Sequence, residues 1–312
     1  MQIILWSIIF IVSLFFLIKS ADLFTEYSEK LGIKLGVSSL IIGATIVALG
    51  TSLPELVSSL FAIHAGETNF VVDNIVGSNI ANALLILGIG GIVARGLKAN
   101  VSLINIELPF FFMSMSLFSY FAMDKAISRG EGFALLLFLA IFVIYQTLQN
   151  PIYHEEEKKK VVKGSARNFL LVIVVSAVVL SFAAKYLVTS ILTLSDLLGV
   201  SSSLLTITVV AFGTSLPEII TSISAIRMGN HSIAIGNVLG SNTFNLLLIG
   251  GLPAIIEPLS ISAETFVVGI PFLVIATFVA IFALYDDKVN QWEGLAMIFF
   301  YLVFIGKIVH LF

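Results

Sequence analysis

The sequence predicts an all-α integral membrane protein: ten transmembrane helices in two inverted five-helix repeats. Three observations carry this expectation. Of 312 residues 58% are hydrophobic and 11% charged, with a mean hydropathy of +1.09, a composition that cannot give a folded chain a water-compatible surface. Apolar runs of the length a bilayer core demands, about 20 residues, recur along the whole chain. Residues 35–88 also align without a gap on 198–251 at a constant offset of 163, with 27 identities in 54 positions, so the chain is two homologous halves.

The runs fall at 2–18, 37–64, 70–94, 101–122 and 132–150 in the first half, and at 168–190, 200–226, 232–256, 263–285 and 292–311 in the second. They are too long and too uniformly apolar for barrel strands, which alternate polar and apolar over about ten residues. The first run has no basic residue before it and no small-residue cleavage site, and reads as a retained helix rather than a signal peptide. Trp6 and Trp292, near run ends, read as interface anchors. The halves, 1–150 and 168–312, are joined by a polar linker at 151–167, too short for a folded sensor domain.

Lysine and arginine set the orientation. Twelve of the 16 basic residues follow runs 1, 3, 5, 7 and 9, which puts the linker in the cytoplasm and both termini outside the plasma membrane. Five spans per half make the second half enter from the opposite side, and inverted repeats are an architecture of alternating-access transporters. The net charge of −3 is too small to argue for nucleic acid, and the basic residues scattered through loops make no binding stripe, so no nucleic-acid partner is expected; no obligate protein partner is evident. Zero cysteines exclude disulfides, thiolate metal sites and cysteine nucleophiles.

The chemistry lies in the matched regions 43–88 and 206–251. Each contains GTSLPE, planting Glu55 or Glu218 in apolar sequence. Pro54 and Pro217 lack an N–H and release the carbonyls of Gly50 and Gly213, so helices 2 and 7 are expected to break at mid-depth. Irregular backbone survives in a membrane where it is buried in protein or lines a cavity, and freed carbonyls there can coordinate cations. Thr51, Ser52, Thr214 and Ser215 add hydroxyls at the same level. The following runs share GSNIAN and GSNTFN, where Ser78 and Asn82, like Ser241 and Asn245, lie four apart on one helical face. Two carboxylates among amides, hydroxyls and carbonyls suit a hard divalent cation, Ca²⁺ before Mg²⁺, and disfavour a transition metal.

Plainer readings stand beside these. A lone membrane glutamate can snorkel to an interface, but the same placement in both halves argues against it. Gly77 and Gly240 can serve close helix packing, and Asn79 and Asn242 neighbouring backbone. Asp73, Lys185, Glu107, Glu257 and Glu264 lie near predicted helix ends and read as interfacial.

The paired GTSLPE and GSN segments resemble the alpha-repeats of the cation/Ca²⁺ antiporter superfamily, and within it the prokaryotic sodium/calcium exchangers; the likeness spans nearly the whole chain. The resemblance implies that Glu55 and Glu218 bind Ca²⁺ and Na⁺ alternately. Thr51, Thr214, Ser52, Ser215, Ser78, Ser241, Asn82 and Asn245 and carbonyls near Ala48 and Ala211 would complete the sites. It implies no cofactor beyond these transported ions, no enzymatic activity, and helices 1 and 6 sliding against a core of 2, 3, 7 and 8. Some relatives carry aspartate where this chain has Asn245, which by resemblance implies independence of potassium. The family's usual three Na⁺ for one Ca²⁺ would move one net charge per cycle, worth about 2.3 kcal/mol per 100 mV. Two rivals remain: paired acids could discharge by taking protons, making a proton/calcium antiporter, or could form the selectivity ring of a cation channel.

Overall fold

The computed structural model describes residues 2–36, 39–98, 101–148, 164–197, 215–285 and 288–311. Eight helices among the described residues are long and apolar enough to cross a bilayer. They are α1 (Gln2–Leu35), α2 (Gly43–His64), α3 (Thr68–Val93), α5 (Arg129–Leu148), α6 (Ala166–Leu197), α8 (His231–Ile256), α9 (Thr265–Tyr285) and α10 (Gln291–Ile308). Between them stand α4 (Val101–Phe121), 21 residues long, and α7 (Leu216–Arg227), the described end of the seventh apolar run. The linker segment 149–163 and residues 198–214 lie outside the described residues.

Local chemistry sets several of these boundaries. Asn290 caps α10, accepting from the backbone N–H of Trp292 and Glu293 while Glu293 Oε2 accepts from the N–H of Asn290, a reciprocal capping box. Asn230 caps α8 by accepting from Ile233 N–H. Two pairs of connectors meet as short antiparallel ladders: β1 (Leu97–Lys98) with β4 (Lys288–Val289), and β2 (Ala126–Ile127) with β3 (Leu259–Ser260).

Burial separates core from periphery. In their most apolar windows α3 is 83% and α8 78% buried, against 17% for α1, so the two GSN helices form the centre and α1 lies at the periphery. With 34 residues, α1 is about 50 Å long at 1.5 Å per residue, longer than the roughly 30 Å hydrocarbon layer. It packs along α6 through Leu17, Ala21, Leu180, Ala183, Ala184 and Leu187. Glycines bring α2 onto α8 with backbones almost touching. A Cβ on Gly43 would fall 2.5 Å from the Ile233 carbonyl oxygen, and one on Gly240 would fall 2.6 Å from Ala44 Cα. Gly240 therefore serves close packing, as expected. At Gly77 a Cβ would meet nothing within 4 Å.

The expected break at Pro54 is not there. α2 runs through Pro54 as continuous α-helix from Ala48 to His64; its departure from α geometry is a π turn at Gly43–Val47, the stretch pressed onto α8. A proline removes one backbone bond, and a membrane helix held by its neighbours absorbs that loss. The widened turn instead follows the close contact at Gly43 and Ala44. In the second half Pro217 occupies the first turn of α7, where a missing N–H has no intrahelical partner to lose. The expected break before it lies outside the described residues. Further π turns open at Asn82 in α3 and at Asn245 in α8, matched positions in the two halves; such turns often mark functional sites.

Candidate ion-binding site

Of the twelve residues singled out from sequence, Ala211 and Thr214 lie outside the described residues. The other ten, Ala48, Thr51, Ser52, Glu55, Ser78, Asn82, Ser215, Glu218, Ser241 and Asn245, are all buried. The first four come from α2, where Thr51, Ser52 and Glu55 fall within one turn, so one helical segment presents hydroxyls and acid together. Ser215 and Glu218 stand at the start of α7, and α3 and α8 supply the serine and asparagine pairs.

The structure joins the two halves directly at these side chains. Ser52 Oγ donates to Glu218 Oε1 at 3.3 Å, and the hydroxyls of Thr51 and Ser241 lie 3.4 Å apart. Glu55 follows Ser52 by three residues on α2 and so shares the helical face that Ser52 presents to Glu218. Thr51 Oγ1 also reaches the Ala48 carbonyl at 3.2 Å, which brings that backbone oxygen to the same level. Among the described residues, three of the four carboxylate oxygens, both of Glu55 and Oε2 of Glu218, have no hydrogen-bond partner. The same holds for Ser78 Oγ, Ser215 Oγ and both amide atoms of Asn82 and Asn245. Buried polar groups are nearly always paired, and an ionised carboxylate in a low-dielectric interior needs a counter-charge. Oxygen atoms dominate this unpaired set, and it contains no sulfur or imidazole. That fits a hard cation.

Sequence reasoning missed Asn237 and Ser222. Asn237 Nδ2 donates to Ser222 Oγ at 2.9 Å and to the Glu218 carbonyl at 3.3 Å; its Oδ1 accepts from Thr51 at 3.2 Å and from Ser241 at 3.4 Å. The signal was present, since Asn74 and Ser59 are identical to them at the offset of 163. Asn79 donates to the Ile75 carbonyl at 2.7 Å, the backbone role expected of it, whereas neither amide atom of Asn242 has a partner among the described residues.

Of the acids read as interfacial, Glu257 and Glu264 are solvent-accessible, the former 3.6 Å from Arg129. Asp73 is half-buried and accepts from Ser262 at 2.9 Å and Thr265 at 2.6 Å, tying α3 to α9. Glu107 is a correction: it is buried in α4 and accepts from the equally buried Gln146 of α5. Helix–helix packing, rather than distance from a helix end, decides its environment.

Fold and site together define a polytopic helical membrane protein whose two related halves meet at a pair of buried carboxylates. The chain belongs to the sodium/calcium exchanger protein family, whose model matches residues 5–148 and 168–308. It is 30% identical over 339 aligned positions to sodium/calcium exchanger MaX1 of Methanosarcina acetivorans, covering 96% of this chain and 97% of that one. It is 32% identical to the putative antiporter CaxA of Alkalimonas amylolytica, covering 81% of each. Its fold matches solved structures of the sodium-calcium exchanger NCX_Mj, one with a TM-score of 0.85 at 24% identity, covering 97% of this chain and 99% of that one.

Proposed function

We propose that this protein is a secondary antiporter exchanging Na⁺ for Ca²⁺ by alternating access. The observation that carries this is the pair of buried acids, Glu55 and Glu218, brought to one polar centre through the Ser52–Glu218 hydrogen bond, with three of their four oxygens unpartnered among the described residues. Two like charges this close in low dielectric cannot both stay ionised without cations. An empty centre therefore resists reorientation, and one Ca²⁺ or several Na⁺ restores near-neutrality and permits it. Each ion must then wait for the other to leave, which makes transport an exchange. In this reading Thr51, Thr214, Ser52, Ser215, Ser78, Ser241, Asn82, Asn245 and the carbonyls of Ala48 and Ala211 complete the ligand set. Asn245 carries no charge, in keeping with a site that does not require potassium. Exchange of three Na⁺ for one Ca²⁺ is electrogenic, with inward sodium driving calcium out across the plasma membrane.

The transport unit in this reading is ten spans in two inverted repeats, 1–150 and 168–312, with the 151–167 linker cytoplasmic and the termini outside. The connector ladders support the inversion: adding 163 carries Leu97 of β1 to Ser260 of β3, and Ala126 of β2 to Val289 of β4. The repeat relation thus exchanges one ladder for the other. Lys98 and Lys288 sit on the ladder assigned to the cytoplasmic face, in line with the positive-inside rule.

Calcium flux into vesicles reconstituted with purified protein tests the proposal. Uptake should require an outward Na⁺ gradient, proceed without K⁺, and accelerate when the interior is made positive. Uptake driven by a pH gradient alone would replace this reading with proton/calcium exchange, and uptake with no counter-ion would replace it with a channel.

A further inference from the structure

We propose that Asn237 is a positioning residue that makes the hydroxyls of Thr51 and Ser241 cation ligands. The inference rests on the exchanger reading and deepens its site. Asn237 is buried in α8 and uses the full capacity of an amide, two donors and two acceptor positions. Its Nδ2 faces Ser222 Oγ and the Glu218 carbonyl; its Oδ1 faces the Thr51 and Ser241 hydroxyls. A carbonyl can only accept, so turning the amide over would set two oxygens against each other at the 3.3 Å contact with Glu218. The orientation is therefore fixed by the backbone of the residue that bears one of the paired acids.

A hydroxyl has one hydrogen. Directed to Asn237 Oδ1, the hydrogens of Thr51 and Ser241 leave only lone pairs to face the carboxylates and a bound ion. Thr51 has an alternative acceptor in the Ala48 carbonyl at 3.2 Å, so Asn237 also competes for the hydrogen that would otherwise engage that carbonyl. Removing the amide would have two effects on the ion. Thr51 would bond back to Ala48, and Ser241 would be free to turn its hydrogen towards the cation. Asn237 touches no ion in this arrangement; it acts through the two hydroxyls.

Titration calorimetry with CaCl₂ on the purified full-length chain in sodium-free detergent buffer tests this. Asn237→Ala should raise the calcium half-saturation about tenfold, the effect of a net hydrogen-bond energy or two. Ser114→Ala, which removes an equally buried hydroxyl of α4 that donates to the Phe110 carbonyl and touches none of these groups, should stay within about twofold of wild type. Asn237→Asp keeps the accepting oxygen but sets its second oxygen against the Glu218 carbonyl; with the acceptor retained and a negative charge added near the cation, it should bind calcium within about threefold of wild type, a readout available even if the alanine variant fails to fold. In a Thr51→Val/Ser241→Ala background, Asn237→Ala should add no further loss, because groups acting as one unit are non-additive. The inference is overturned if the alanine variant binds calcium like wild type while melting earlier, if the aspartate variant weakens binding tenfold, or if the loss is undiminished in the double background. Wild-type protein that binds no calcium would sink the exchanger reading and this inference with it, whereas the other outcomes strike this inference alone.

Discussion

Gly240→Ala should abolish most calcium transport without preventing membrane insertion, through packing alone. The added Cβ would lie 2.6 Å from Ala44 Cα and 2.7 Å from its carbonyl carbon. The Ala44 carbonyl oxygen is nearer still, and all three are backbone atoms that cannot rotate away, so α2 and α8 must separate by about 1 Å before ordinary van der Waals contact is regained. Overpacking of this kind costs about 1–3 kcal/mol. The separation falls where α2 is joined to the second half. The Thr51 contacts to Asn237 and Ser241 stand at 3.2 and 3.4 Å, and Ser52 to Glu218 at 3.3 Å, already near the limit for a hydrogen bond. Pushing the helices apart lengthens all three and disperses the oxygen cluster. The assay is sodium-driven calcium uptake in vesicles, normalised to reconstituted protein, with Gly130→Ala as control, since a Cβ there meets nothing within 4 Å. Uptake by Gly240→Ala equal to wild type would show that the α2–α8 approach does not govern the site.

Glu55→Gln and Glu218→Gln should each eliminate calcium uptake, because one remaining carboxylate cannot balance a divalent ion; Glu257→Gln, with its side chain 56% exposed, should transport normally, and the same vesicle assay checks all three. Gln146→Leu removes the donor to buried Glu107 and should destabilise the protein by about 1–3 kcal/mol, while adding Glu107→Leu should recover much of that loss, as read by thermal unfolding in detergent. Calcium at about a hundred times its dissociation constant should stabilise the wild type by about 2.7 kcal/mol and the Glu218→Gln variant by little, in the same melts.

The duplicated motifs made the heart of the site legible because a carboxylate in a bilayer is costly enough that two at matched positions admit few explanations. The structure brings Ser52 to Glu218 and Thr51 to Ser241 across the two halves. What the sequence did not disclose is a matter of context. A proline's effect depends on whether neighbouring helices hold the segment, so Pro54 sits in unbroken helix while the irregular turn arises at Gly43–Val47, where contact with α8 is closest. Position in a run says nothing about which face a side chain takes, so Glu107 read as interfacial and is buried. Asn237 has the identity across halves that marked Ser241 and Asn245, but only the fold reveals that its amide spans three helices.

The polar ties of α1 add a point that repeat symmetry alone would hide. Asp22 Oδ1 accepts from Ser224 of α7 at 2.6 Å, and Thr25 Oγ1 reaches the Thr221 carbonyl at 3.5 Å. Carried across the offset of 163, the first pair becomes Lys185 with Phe61 and the second Val188 with Ser58. Neither phenylalanine nor valine has a side-chain polar group, so the sequence does not repeat these ties at the matched positions. If the two halves exchange roles as the protein turns from one side of the membrane to the other, the two orientations differ by those hydrogen bonds and cannot be equal in energy. A net hydrogen bond of about 1 kcal/mol is already several-fold in population at RT near 0.59 kcal/mol. On the proposed alternating-access reading, the residues that break the symmetry between the halves set which of the two orientations the unloaded protein favours.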